Sequence, residues 1–188
     1  MPSWLNPFDV LIAFALIVGV VWGFTHGLVR MALSLVVLYL AVVLAMSFYV
    51  RVGKWIVYLS GGGLAQAAAE LIAFLFILIL LTTVVNFALG RAFKDTELPA
   101  IRQIDQLGGL VIGFVLAAIW IGLMLAGLTF LLNTSGVGSD AFRANVLGYM
   151  RKSMLVPIFE DVWPILMATL KPWMPKGELP PIFGFRLS

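Results

Sequence analysis

The sequence predicts an all-α membrane protein, four transmembrane helices followed by a C-terminal amphipathic, interfacial helical tail. Three observations carry that expectation. Of the 188 residues, 62% are hydrophobic and 11% charged, with a mean hydropathy of +1.08, which is more apolar surface than one soluble core of this size can bury. Between Asp9 and Asp140 the chain is a nearly unbroken apolar ribbon interrupted by single charges. The resulting stretches are close to the roughly 20 residues that cross a hydrocarbon core of about 30 Å. After Asn133 the pattern changes, and apolar residues recur at helical spacing with charges on the other faces.

Residues 1–133 form the expected membrane domain, with spans at about Val10 to Thr25, Met31 to Val50, Leu71 to Leu89 and Leu107 to Leu132. Met1 to Asp9 contains no Lys or Arg, and no small-residue cleavage site closes the apolar stretch behind it. That stretch also outruns a signal-peptide core of about 7–15 residues, so it is expected to stay in the mature protein. Only His26-Gly27 separates the first two spans, and one long helix bent at Gly27 is the alternative to a hairpin. In the second span residues such as Leu38 and Val42 each favour insertion by about 0.3–0.6 kcal/mol, several kcal/mol together.

The connection that follows carries Trp55, Tyr58 and Gly61-Gly62-Gly63 and is expected to run along the headgroups. Glu70 stands at the entrance of the third span, where a carboxylate costs least and meets the positive end of the helix dipole. It reads either as a solvated or capping group or as a buried partner for Arg51 or Lys54. Thr82, Asn86 and Gly90 share one face. Asn86 needs a hydrogen-bond partner inside protein, either to lock two helices or to line a polar path. Arg91 to Gln106, with Asp95, Glu97 and Pro99, reads as a loop before the fourth span.

Residues 134–174 form the expected interfacial tail. Thr134 to Asp140 is a linker, and Phe142, Val146, Tyr149, Met150 and Ser153 then oppose Arg143, Asn145, Arg151 and Lys152, as in a helix lying on the membrane. A second amphipathic stretch starts near Pro157, with Ile158, Phe159, Val162, Ile165, Leu166 and Thr169 on one side and a kink or break expected at Pro164. Residues 175–188, with Pro175, Pro180 and Pro181, are expected to be extended or disordered. The basic flanks divide almost evenly between the two sides, so they do not decide orientation.

The net charge of +3 comes from 12 basic and 9 acidic residues scattered singly, which argues against nucleic acid as a partner. With no cysteine and 1 histidine, disulfides, thiol nucleophiles and the usual metal-ligand sets are absent, and no cofactor is expected. No Gly-x-Ser-x-Gly element or paired acid and base suggests catalysis. Asn133-Thr134-Ser135 fits a glycosylation sequon, a match too short to carry weight.

Small residues mark helix contacts in lipid, where apolar burial drives little association. Gly19, Gly23 and Gly27 lie four apart on the first span; Gly109, Gly113 and Ala117 do the same on the fourth, beside Ala118, Gly122 and Ala126. The two spans are expected to pack tightly, with each other or across an interface between copies of a homo-oligomer. Counting crossings puts Arg30 and Asp105 on one side of the membrane, with Asp9, Glu70, Arg51 and Lys54 on the other. An ion pair between Arg30 and Asp105 is the expectation, with His26 beside it.

Asp9, then Gly19, Gly23, Gly27 and Arg30 followed by Ala32-Leu33-Ser34-Leu35, resembles the N-terminal signature of the bacterial colicin V production protein (CvpA) family. Asp105 followed by Leu107, Gly109 and Gly113 is similar to that family's second signature, and Ser153-Met154-Leu155-Val156-Pro157 to a stretch after its last span. The resemblance covers about Phe8 to Pro157; Met31 stands where an acidic residue is common and Gln106 where a basic one is. It implies a non-enzymatic, multi-pass protein of the bacterial inner membrane that supports colicin V toxin production or export and envelope homeostasis. Assembly through the glycine faces, contact with the lipid bilayer and contact with other envelope proteins complete that expectation. The alternative is an oligomeric transporter or channel subunit with a polar path through Glu70 and Asn86, helped by Arg30 and Asp105.

Overall fold

The computed structural model describes residues 6–92, 102–134, 139–173 and 180–184. Asp95, Glu97 and Pro99 of the third connection, most of the linker after Thr134, and Pro175 lie outside the described residues. Among the described residues six α-helices follow one another: α1 (Pro7–His26), α2 (Leu28–Leu59), α3 (Gln66–Ala92), α4 (Arg102–Asn133), α5 (Asp140–Arg151) and α6 (Val156–Ala168). Single 3₁₀ turns occupy Lys171–Trp173 and Pro181–Phe183, and no strand occurs among the described residues. The first four helices are long and apolar enough to cross a membrane.

Local chemistry sets the boundaries. The Asn6 side chain accepts the Phe8 N–H at 3.0 Å and Pro7 occupies the first turn, so α1 starts there. Gly27, with φ of 79°, is the single residue between α1 and α2. A left-handed φ suits glycine, and the chain reverses there rather than continuing as one bent helix. Helix α2 runs past Val50 because Gly53 keeps helical geometry and the glycines with positive φ come only at Gly61 (φ 64°) and Gly62 (φ 79°). Arg51, Lys54, Trp55 and Tyr58 are therefore helical instead of forming a loop. At 1.5 Å per residue the 32 residues of α2 span about 48 Å, longer than a hydrocarbon core. Its last turns project, leaving Trp55 and Tyr58 largely exposed.

The bundle consists of two antiparallel pairs, α1 with α4 and α2 with α3, joined where α2 and α4 run side by side. Leu28 lies against Gly108 near one end of that junction, and Leu35 to Val42 share an apolar cavity with Ile119 and Leu123 further along. The buried centre includes Leu38, Ala45, Phe74, Leu78 and Ala126. Phe14, Ile17, Trp22, Phe76 and Phe87 point outward, a surface suited to acyl chains rather than water.

Helix α6 is docked on the bundle at three points. Its start is held beside Asp9, Trp163 rests on Gly122 of α4, and the Tyr39 hydroxyl of α2 donates to the Thr169 carbonyl at 3.0 Å. Its start, its middle and the turn that follows it are thus held on α1, α4 and α2, and it stays continuous through Pro164. Residues 180–184 also depart from the extended or disordered end expected for 175–188. Ile182 and Phe183 are buried, Phe183 meets Phe74 edge to face at 5.3 Å, and its carbonyl accepts the Trp163 indole N–H at 3.0 Å. Two aromatic contacts and a paired buried N–H offset the entropy of fixing that segment.

Candidate functional site

The glycines of α1 face those of α4 within the same chain. A Cβ added at Gly23 would lie 2.8 Å from the Gly113 Cα and closer still to the Gly109 carbonyl. One added at Gly109 would lie 2.9 Å from the Gly27 Cα, and one at Gly19 would strike the Ala117 methyl. Gly19, Gly23, Gly27, Gly109, Gly113 and Ala117 thus form one continuous seam in which backbone touches backbone. Gly122, from the neighbouring stripe, instead receives the Trp163 ring, whose Cζ3 would be 2.5 Å from an added Cβ.

No ion pair joins Arg30 and Asp105. Asp105 lies directly under Gly27, and its Oδ1 accepts the Leu28 N–H at 2.9 Å. The first N–H groups of a helix have no partner inside it, so the carboxylate of α4 caps α2 and also meets the positive end of its dipole. Arg30 points to another neighbour: its Nη2 would be 2.6 Å from a Cβ on Gly90 of α3. Glycine there lets the guanidinium lie against that helix. His26 closes the same end, stacked on Trp22 at 4.6 Å with its Nδ1 2.9 Å from the Trp22 carbonyl.

The opposite end repeats the arrangement at Asp9. Its Oδ1 accepts the Ser153 hydroxyl at 2.5 Å, the Met154 N–H at 3.0 Å and the Leu155 N–H at 3.0 Å. Ser153 in turn accepts the Val156 N–H at 3.1 Å, and Asn6 donates to the Tyr149 carbonyl at 2.7 Å. The start of α1 thereby clamps the junction of α5 and α6. The sequence reading put Asp9 at the start of the apolar ribbon and Ser153 on the apolar face of the first tail helix, each also within a family signature, and missed this pairing. The available sign was local: Ser153 shortly before Pro157 is a helix-start pattern, with donors still to be satisfied.

Between α2 and α3 the Ser34 hydroxyl donates to Asn86 Oδ1 at 2.8 Å, while the Asn86 amide donates to the Thr82 carbonyl at 2.9 Å. Glu70 lies one turn inside α3, accepts from the Gln66 amide at 3.0 Å, and packs on Gly53, whose added Cβ would be 2.8 Å from Glu70 Cγ. No ion pair connects it to Arg51 or Lys54. A cavity of about 390 Å³ opens among Trp22, His26, Arg30, Ser34, Thr82 and Asn86. Neither it nor the apolar cavities beside Gly19 and Leu38 reach Glu70. Among the described residues no group of three or more His, Cys, Asp or Glu side chains comes together. What this chemistry does is fasten helix ends and hold a cation beside a polar hollow.

Four membrane-length helices, sealed by a glycine seam and tied by boundary carboxylates, define a small polytopic helical-bundle membrane protein. The sequence model of the colicin V production protein family matches residues 8–164, and the chain belongs to that family. The match takes in the four long helices, α5 and most of α6. No curated protein and no solved structure matched the chain.

Proposed function

We propose that the protein works without catalysis in the bacterial inner membrane, where it supports colicin V toxin production or export and envelope homeostasis. The observation that carries this reading is the family match across the whole bundle together with α5 and most of α6. The local chemistry supports it, because Asp9 and Asp105 are engaged in capping helices and are not poised over a reacting group. Self-assembly and contact with other envelope proteins belong to the same proposal. Since the glycine faces close on each other within one chain, a homo-oligomer has to use outward surfaces such as Phe14 and Ile17 of α1 or Phe76 of α3. Helix α5, whose Phe142 and Tyr149 are exposed beside its charges, is proposed to rest at the headgroups.

The test is deletion of the gene in a host that makes colicin V, reading released toxin and resistance of the envelope to detergent. Loss of either, restored by the wild-type chain but not by Gly23→Leu, is the expected result. Full toxin release from an intact envelope after deletion would end the proposal. Flux in proteoliposomes abolished by Asn86→Leu and Glu70→Gln would favour a transporter instead.

A further inference from the structure

We propose that the hollow beside Arg30 is a binding site for an anionic phospholipid, with the lipid phosphate at the guanidinium and one acyl chain in the apolar cavity that adjoins it. This goes beyond the reading above and does not depend on it.

Arg30 lies in the first turn of α2, at the level where the chain has just turned at Gly27. It makes no ion pair among the described residues, because Asp105, the acid nearest in the expected geometry, is engaged by the Leu28 N–H. Among the described residues that line the hollow none is a carboxylate, so Arg30 is the charged group that they present to it. Neutral groups that can meet phosphate oxygens stand close by. Asn86 uses one amide hydrogen on the Thr82 carbonyl and keeps a second, and His26 keeps Nε2 beyond its Nδ1 contact with Trp22.

The second half of the argument is continuity. An apolar cavity of about 290 Å³, floored by Ala15, Val18 and Ile121, shares Trp22, Met31, Leu116 and Trp120 with the polar one. The composite space is charged at a helix boundary and apolar toward the middle of α1 and α4. That is the polarity profile of an amphiphile standing upright in a leaflet. A soluble phosphate would leave the apolar half unused.

The experiment measures binding of phosphatidylglycerol, phosphatidylcholine and inorganic phosphate to the full chain in a non-ionic detergent, by native mass spectrometry and equilibrium titration. One phosphatidylglycerol should be retained at least about tenfold more tightly than phosphatidylcholine, because the choline ammonium offsets the phosphate charge and is repelled by the guanidinium whereas glycerol is neutral. Arg30→Gln should remove that preference with little change in unfolding midpoint, and Arg30→Lys should keep part of it. Leu116→Trp, which fills the junction of the two cavities and leaves the charge in place, should weaken phosphatidylglycerol binding on its own. It serves if Arg30→Gln fails to fold. Equal affinity for the two lipids, an unaffected Arg30→Gln or Leu116→Trp, or displacement of phosphatidylglycerol by inorganic phosphate at comparable concentration would each overturn the proposal.

Discussion

Replacing Gly23 by alanine adds one methyl group where two helices already meet backbone to backbone. The new Cβ would lie 2.8 Å from the Gly113 Cα and 3.0 Å from the Gly109 carbonyl carbon, while ordinary contact begins at 3.4 Å. The Gly109 carbonyl oxygen is closer still, so the helices must part by more than about 0.6 Å at this level, since the obstructing atoms are backbone and cannot rotate away. A radial gap of about 0.5–1 Å forfeits a quarter to a half of the dispersion energy of each contact it opens. The loss spreads along the seam from Gly19 to Gly27, and overpacking of this kind costs about 1–3 kcal/mol. Alanine would otherwise favour the helix over glycine by about 1 kcal/mol, so the sign of the result is informative. The assay is unfolding in mixed micelles followed by tryptophan fluorescence, with Gly148→Ala as the comparison because a Cβ added there would meet nothing within 4 Å beyond its own helix. Gly23→Ala should lower stability by about 2 kcal/mol while Gly148→Ala raises it slightly. Gly109→Ala combined with Gly23→Ala should cost less than the two changes summed, because one methyl already parts the helices that the other would strike. If Gly23→Ala matches Gly148→Ala, the seam does not hold the fold and the reasoning fails.

Asp9→Ala should release the α5–α6 junction at a cost of about 3 kcal/mol, seen as lost hydrogen-exchange protection at Met154 and Leu155 with α2 and α3 unaffected. Arg30 and Asp105 should show a double-mutant coupling within about 0.5 kcal/mol of zero, whereas Asp105→Ala alone should cost about 1 kcal/mol through the lost cap on α2; a coupling several times larger would restore the ion pair. Asn86→Leu should destabilise by about 1 kcal/mol through the stranded Ser34 hydroxyl, and Ser34→Ala in that background should recover most of it. Gly122→Leu should expel the Trp163 ring and open α6, read as faster amide hydrogen exchange at Met167 and Leu170 with the four-helix bundle still folded.

The lessons of sequence against structure lie in particular residues. The hydrophobic ribbon and its single charges were enough for four membrane-length helices, because insertion depends on transfer energies summed along each segment, with charges cheapest at its ends. The fourfold spacing of Gly19, Gly23 and Gly27 was visible for a similar reason: helical geometry puts such residues on one groove whatever lies opposite. Helix ends were harder. Nothing short of Gly61 stops α2, and charge positions alone suggested an earlier end at Val50.

Which partner each polar group takes belongs to the three-dimensional arrangement. Arg30 and Asp105 were placed on one side of the membrane by counting crossings, yet a carboxylate beneath Gly27 finds an unsatisfied helix N–H closer than the guanidinium, which turns toward Gly90. Asp9 meets Ser153 only because α1 and the α5–α6 junction come together across 144 residues of chain. The docking of α6 depends likewise on Trp163 reaching the bare backbone of Gly122 across the fold. Composition and periodicity determined that this chain enters a membrane, how many times its long helices can cross, and which faces are small enough to touch. The tertiary structure decided which charges cap helices and which one is left beside a cavity, because hydrogen bonds and ion pairs are set by separations of a few ångströms that sequence spacing does not encode.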